Sequence, residues 1–247
     1  VVMAETPHNL IIPFGTADPE RVKSLGSQRE TEIESVSTNL FRLNTSATPA
    51  LRLHHGPYDF RVSRDLGTQS GAFTGITALQ DYSHALCDLW RKTQHVFVEA
   101  YFDFIRFSLE KEKVSLTNDL APYDGIYTYK DWSFSALRPL PRAHLATETK
   151  TFIPMDFIFW TGKTLVAVDI IDFQTQTRAR QAELEGLKKN GVVVISAESA
   201  KLTKDRSVYL ELILPKPFHL FWHNEVLPQS PFKPKISNIL CPRHLGF

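Results

Sequence analysis

The chain is poor in cysteine and has no long hydrophobic run. It has two cysteines among its 247 residues, Cys87 and Cys241, and they lie far apart in the sequence. Two isolated cysteines argue against a disulfide-stabilised secreted scaffold and against a cysteine-type zinc site. They indicate thiols in a reducing compartment. Because no stretch of about 18 or more apolar residues is present, no transmembrane helix is expected.

The sequence signatures of several enzyme classes are missing as well. The glycine-rich stretch 67–77 lacks the Gly-Lys-Ser/Thr that ends a phosphate-binding P-loop, and no Gly-x-Ser-x-Gly supports a serine hydrolase. A strand would turn the adjacent His54 and His55 to opposite faces. His219 and His223 lack the glutamate of the HExxH zinc pattern. We therefore expect ordinary structural roles for these histidines.

Charge and composition are those of an ordinary globular protein. Hydrophobic residues make up 43% of the chain and charged residues 22%, with a formal net charge of +1. Any surface for nucleic acid must therefore be a local patch. The first residues lack the positive region and long apolar core of a signal peptide. We expect an intracellular protein, cytoplasmic or nuclear, that does not associate with membranes.

The hydrophobic pattern divides the chain into three parts. Residues 1–80 form an N-terminal extension, with short strands expected at 10–12 and 51–53. Residues 81–214 form the core. Residues 215–247 form a basic C-terminal arm rich in proline and aromatic residues, which either wraps its own domain or docks a partner protein or nucleic acid.

Helical and strand patterns alternate within the core. Helical spacing predicts helices over 79–113 and 177–190, the second ended by Gly191. Alternating or continuous apolar runs predict strands at 125–129, 132–135, 152–160, 164–171, 192–196 and 207–214. This order predicts an α/β (α+β) fold with a mixed β-sheet flanked by helices.

Three aspartates mark the most informative stretch, 151–172, whose sequence is TFIPMDFIFWTGKTLVAVDIID. Asp156 lies inside the first predicted strand, and Asp169 and Asp172 lie at the end of the second. Aspartate is a poor strand former and is costly to bury without a partner, so these residues indicate a divalent-metal site. Because strand side chains alternate, Asp172 should face away from Asp169 unless the strand bulges.

These motifs and the element order resemble the PD-(D/E)xK nucleases, which have the restriction-endonuclease-like fold. Pro154-Met155-Asp156 stands where the family has Pro-Asp, with one residue inserted. Asp169-Ile170-Ile171 stands where the family has Asp/Glu-x-Lys. Glu99, on the long predicted helix, is the candidate for the family's helix carboxylate. The resemblance covers roughly residues 85–215.

The resemblance implies metal-dependent phosphodiester hydrolysis of a nucleic acid, DNA rather than RNA, with Mg²⁺ or Mn²⁺ as the cofactor. Asp156, Asp169 and Glu99 would hold the metal, which activates a water and neutralises charge on the scissile phosphate. Ile171 takes the place of the family's lysine, so a catalytic cation has to come from elsewhere. Lys163 in the predicted hairpin turn and the arginines of the following helix are the candidates.

Basic residues near the motifs are the expected phosphate contacts. Arg138, Arg142 and Lys150 lie in a predicted loop that leads into the Asp156 strand, and Arg178 and Arg180 lie on the next helix.

Ile171 also favours a second hypothesis. In this alternative the chain is a catalytically inactive nuclease-fold subunit that binds nucleic acid or a partner protein in a larger complex. A third hypothesis is an interaction module with no role in nucleic-acid binding. Asp156 also has a structural interpretation, as a buried carboxylate paired with arginine or with backbone amides. The same interpretation applies to Asp169.

Overall fold

A computed structural model describes residues 9–15, 23–27, 30–34, 39–55, 76–146, 152–172, 177–223 and 225–229. Its strands are β1 (Asn9–Pro13), β2 (Lys23–Ser27), β3 (Glu30–Glu34), β4 (Leu40–Asn44), β5 (Leu140–Ala146), β6 (Phe152–Trp160), β7 (Leu165–Ile171) and β8 (Val193–Glu198). Its α-helices are α1 (Ile76–Leu86), α2 (Lys92–Lys111), α3 (Lys113–Asp119), α4 (Arg178–Lys189), α5 (Ser199–Leu202) and α6 (Arg206–Ile213). No helix in these ranges is long and apolar enough to cross a membrane.

A four-stranded sheet in the order β5-β6-β7-β8 forms the centre of the fold. β5 pairs with β6 and β6 with β7 in antiparallel fashion, whereas β7 pairs with β8 in parallel. The prediction of a mixed sheet flanked by helices is therefore confirmed, as are the strands predicted at 152–160, 164–171 and 192–196. The short strand expected at 10–12 lies within β1, which pairs with β4.

The predicted helix over 177–190 is confirmed as α4, and its two ends show why it forms. Thr177 caps the start, since its side-chain oxygen accepts a hydrogen bond from Arg180 N at 3.2 Å. At the other end Gly191 has a φ of 78°. Gly191 N donates to Lys188 O at 3.0 Å and Val192 N donates to Leu187 O at 3.1 Å, which together make a Schellman motif. α4 forms most of the connection between β7 and β8, and such a long crossover is what parallel strands require.

Both faces of the central strands are buried, each under a different helix. Phe157 and Val168 belong to a large apolar cluster with Phe97 and Tyr101 of α2. Their strand neighbours turn to the other face by alternation and join a second cluster with α4: Ile158, Trp160, Leu165 and Ala167 pack with Leu184 and Leu187. α2 and α4 therefore cover opposite faces of the sheet.

The long helix expected over 79–113 is broken, and that prediction was wrong between residues 87 and 91. α1 ends at Leu86 and α2 begins at Lys92. Asp88 makes the turn between them: its side-chain oxygen accepts a hydrogen bond from Trp90 N at 2.9 Å, and its carbonyl oxygen accepts one from Arg91 N at 3.0 Å. The break contains neither glycine nor proline, the residues that usually mark the end of a helix in a sequence, so the sequence did not predict it.

Three predicted strands in the core are not strands. Residues 124–126 form a turn, residues 127 and 128 are irregular, and Tyr129–Ser135 is a 3₁₀ helix that begins with a capping box of Thr128 and Asp131. Residues 207–213 of the third stretch are helical and belong to α6, where Leu210 is buried while Leu212, which a strand would turn to the same face, is exposed.

Two further local predictions were wrong. Within the stretch expected to be a basic loop, Leu140–Ala146 form a strand, β5, which is an edge of the four-stranded sheet. The stretch 51–53 is not a strand, since Arg52 makes an isolated bridge with Leu137 and a 3₁₀ turn follows at Leu53–His55.

The first part of the C-terminal arm packs on the core. Phe218, Phe221 and Trp222 are buried in the cluster that contains α2. Arg52 Nε forms an ion pair with Glu225 at 3.2 Å, which joins the arm to the segment before α1. Residues 230–247 lie outside the described ranges. The domain boundaries at 80 and 214 stay predictions.

Two glycines of α4 provide a matched test of these helix assignments. Gly186 lies inside the helix, and a Cβ there meets nothing within 4 Å, so Gly186→Ala should raise the free energy of unfolding by about 0.5–1 kcal/mol. Gly191 has positive φ, so Gly191→Ala should lower it by about 1 kcal/mol. Urea denaturation of both variants measures the difference. Equal effects of the same sign would contradict the assigned helix end.

Candidate functional site

Asp156 is buried where the β6–β7 ladder ends. The pairing of the two strands runs from Trp160 opposite Leu165 to Phe157 opposite Val168. Beyond that point β6 continues to pair with β5, and β7 with β8. The Asp156 side chain bridges the strands here, because its Oδ2 accepts a hydrogen bond from the backbone N–H of Ile170 at 2.8 Å. A carboxylate oxygen thus takes the place of a backbone acceptor.

The other oxygen of Asp156 is held by α2 and the residue before it. Gln94 Nε2 donates to Oδ1 at 2.8 Å, and Arg91 Nη1 forms an ion pair with the same atom at 2.9 Å. Only 3% of Asp156 is exposed. Burial raises the pKa of Asp156 above its usual range, while Arg91, Gln94 and the Ile170 amide oppose that rise. Both carboxylate oxygens are therefore engaged by donors from the protein.

Asp169 is held from the opposite side of the sheet. Arg180 of α4 donates to Asp169 Oδ1 through Nη2 at 2.6 Å and through Nε at 3.2 Å. Arg180 also donates to Pro154 O at 2.8 Å and pairs with Glu183 at 3.0 Å. This one guanidinium therefore joins α4 to both β6 and β7.

The two aspartates that the sequence singled out are thus both buried, and each is paired with an arginine. Their partners come from helices on opposite faces: Gln94 belongs to α2, and Arg180 belongs to α4. Within the described ranges no group of three His, Cys, Asp or Glu side chains is placed to hold a metal ion. The metal site at Asp156, Asp169 and Glu99 stays a prediction.

Glu99 lies at the surface between α2 and α6, away from Asp156's partners. It pairs with Arg206 Nη1 at 3.0 Å, and Arg206 Nε pairs with Asp103 at 2.9 Å. The residue of α2 that contacts Asp156 is Gln94, which is 2% exposed. The sequence did contain a signal for it, because Gln94 precedes Phe97 and Tyr101 by three and seven residues and so shares their buried face.

The expected cation and phosphate contacts are spread over the molecule. Lys163 is exposed in the β6–β7 turn. β6 ends four residues after Asp156. At about 3.3 Å per residue, the turn that contains Lys163 therefore lies roughly 13 Å or more from Asp156 along the strand. Arg178 is exposed at the start of α4. Lys150 lies outside the described ranges.

Arg138 does not lie on a surface. It is buried, donates to His55 O at 3.4 Å and places its guanidinium 5.9 Å from the Phe14 ring centre and 5.5 Å from that of Tyr82. The prediction that it contacts phosphate conflicts with this position. Arg142 is half-buried in β5 and has a φ of 48°. It lies opposite Asp156, between the pairs Pro141–Phe157 and Ala143–Met155.

Two of the described histidines form a contact that the sequence did not predict. His84 of α1 and His95 of α2 place their Nδ1 atoms 3.0 Å apart, and His95 Nε2 lies 3.2 Å from Asp88 O. A carbonyl oxygen accepts only, so at the Asp88 contact His95 Nε2 is the donor. The contact between the two rings joins α1 to α2. His55 Nδ1 accepts from Arg52 N at 3.1 Å.

Asp156 and Asp169 provide enough carboxylates to bind a divalent ion, but their negative charge is already balanced. Protein-bound Mg²⁺ often uses one or two carboxylates together with water and substrate phosphates. Here Arg91 and Arg180 already neutralise both carboxylates. An ion would therefore meet a nearly balanced site with guanidinium groups beside it, and the residues fit a resident metal poorly.

Comparisons with known proteins add no assignment. No protein-family model, no curated protein and no solved structure matches the chain.

Replacing Asp156 tests whether its role is structural. Asp156→Ala leaves the Ile170 N–H and the Gln94 amide without their buried acceptor, so the free energy of unfolding should fall by about 1–3 kcal/mol. Arg91→Ala should cost less, at most about 1 kcal/mol, because the Arg91 side chain is half-exposed. Urea denaturation gives both values. A gain in stability for Asp156→Ala would instead mark a strained functional carboxylate.

Acid should destabilise the protein through its neutral histidines. Burial and His54 lower the pKa of His55 from 6.5 to about 4, and burial and His95 lower that of His84, although Glu99 and Asp81 oppose the His84 shift. The unfolded chain binds protons at a higher pH than the folded chain does. The neutral histidines therefore make their full contribution to the free energy of unfolding above pH 6.5, and this contribution is lost as the pH falls towards about 4.

Unfolding midpoints in urea, measured in this pH window, check the expected direction. His55→Gln removes one titrating ring and should show a smaller fall than the wild type. An identical fall in both proteins would remove His55 from the explanation.

Proposed function

We propose that this chain is a catalytically inactive nuclease-fold subunit that binds nucleic acid. The observation that carries the proposal is the pairing of both motif aspartates with arginines, Asp156 with Arg91 and Asp169 with Arg180. In a metal-dependent nuclease the positive charge beside such carboxylates comes from the ion. Here it comes from guanidinium groups of the chain itself.

The order of elements supports the nuclease-fold part of the proposal. A helix, two antiparallel strands that carry the aspartates, a further helix and a parallel strand follow one another, as the resemblance to PD-(D/E)xK nucleases leads one to expect. One contact and one substitution support inactivity. Gln94, and not the expected Glu99, is the residue of α2 that contacts Asp156. Ile171 stands at the lysine position of the motif.

Arginines around the aspartates support nucleic-acid binding. Arg91 uses one nitrogen for Asp156, and its side chain is 53% exposed, so further N–H donors face solvent. Arg178 is exposed on the first turn of α4, where the helix dipole also favours an anion. DNA is proposed as the ligand ahead of RNA. Binding of a partner protein through residues 215–247 is the alternative for the same inactive subunit.

Cleavage and binding assays on one protein preparation test this function. With Mg²⁺ or Mn²⁺ we expect no cleavage of single- or double-stranded DNA or RNA. We expect DNA binding that weakens with salt, because each phosphate contact adds about −0.9 to the slope of log K against log salt for duplex DNA. Arg178→Ala should reduce the magnitude of that slope by about 0.9, whereas Lys189→Ala, at the other end of α4, should not change it.

Two outcomes would overturn the proposal, each in favour of a different function. A slope near zero would exclude phosphate binding and favour the partner-protein alternative. Cleavage by the wild type that is lost in Asp156→Ala and Asp169→Ala would establish metal-dependent phosphodiester hydrolysis. That activity is the second candidate, because the two motif aspartates lie on adjacent strands at the end of their ladder.

A further inference from the structure

The loop between α1 and α2 exposes two large apolar side chains beside the buried carboxylate. Trp90 is 92% exposed and Leu89 is 84% exposed. The next residue is Arg91, which reaches down to Asp156. An exposed tryptophan is unfavourable in water, so its position raises the question of what it binds.

The loop is held in place by hydrogen bonds, so a loose backbone does not explain the exposure of Trp90. Asp88 anchors it: Oδ1 accepts from Trp90 N, the carbonyl oxygen accepts from Arg91 N, and its own N–H donates to Gln94 Oε1 at 3.0 Å. Gln94 in turn donates to the buried Asp156. The indole is therefore presented on a backbone fixed to the core of the sheet.

Charge next to the indole identifies the kind of ligand. Arg91 and Lys92 follow Trp90 directly and both are exposed, while Asp88, the nearest acidic residue in the sequence, is hydrogen-bonded to the loop backbone. An aromatic face beside cationic groups is the arrangement on which unpaired bases stack while their phosphates meet lysine and arginine. A paired base inside a duplex offers no free face, since it is stacked on both sides.

We propose that Trp90 is a stacking platform for an unpaired base of single-stranded nucleic acid, with the adjoining phosphates on Arg91 and Lys92. This inference rests on the proposed function and narrows it, because it selects single strands over duplexes. No covalent step is involved, so the site acts in binding alone.

Trp90 can report its own occupancy. The chain has four tryptophans, and the other three, Trp132, Trp160 and Trp222, are buried. Titration with single-stranded oligo-dT should quench the exposed indole emission to saturation. A duplex of oligo-dT with oligo-dA should leave this emission unchanged at equal phosphate concentration. Equal quenching by the duplex would overturn stacking on an unpaired base.

Variants of Trp90 test stacking while the charges of Arg91 and Lys92 stay unchanged. Trp90→Ala should weaken oligo-dT binding at least about fivefold, and Trp90→Phe should keep it within roughly threefold, because a phenyl ring still stacks. Leu212→Ala removes another exposed apolar side chain, on α6, and should have no effect. Thermal melting confirms that the variants are folded, as is expected for a substitution at the surface.

The possible failures are distinct. If Trp90→Ala binds oligo-dT as tightly as the wild type, the platform is wrong and the proposed function stands. If the wild type binds neither single strands nor duplexes, the proposed function fails and the platform fails with it.

Discussion

The buried carboxylate of Asp156 is the contact on which this part of the structure depends. It lies where β6 and β7 stop pairing, and it supplies the acceptor that the Ile170 N–H lacks there. Its other oxygen holds Gln94, which in turn fixes the Asp88 turn before α2. A single side chain therefore sets where the strands separate, where the helix starts and how the exposed loop is presented. A buried charge is tolerated here because three donors converge on it.

The elements that the sequence predicted best have signals at more than one level. The hairpin of β6 and β7 combines long apolar runs with a Thr-Gly-Lys turn, and α4 combines amphipathic spacing with Thr177 at its start and Gly191 after its end. The eight residues of α6 have no such support. Their alternating letters fit a strand, but a strand would turn Leu212 to the same face as the buried Leu210, and Leu212 is exposed.

The sequence identified the two aspartates of the site and named Arg180 among the candidate cations, but it did not identify the partners of Asp156. An aspartate inside an apolar strand is conspicuous in any sequence, so Asp156 and Asp169 were found. Which residue of α2 meets Asp156 depends on the rotation of the helix against the sheet. Choosing by charge selected Glu99, whereas the buried face that continues through Phe97 contains Gln94. Arg91 lies in a turn that the periodicity did not reveal.

Charge balance links the proposed inactivity to Ile171. A lysine at that position would share the face of Asp169 by strand alternation, which is the face that α4 covers. Arg180 already brings a guanidinium to Asp169 from α4 and spans to Pro154 O on β6. A second cation there would share the face of Arg180, whose charge is already offset by Asp169 and Glu183. An apolar residue at 171 is consistent with this arrangement, because the motif's positive charge is supplied from the next helix. On the proposed function, the carboxylate pair has thereby become a structural joint between two strands and two helices.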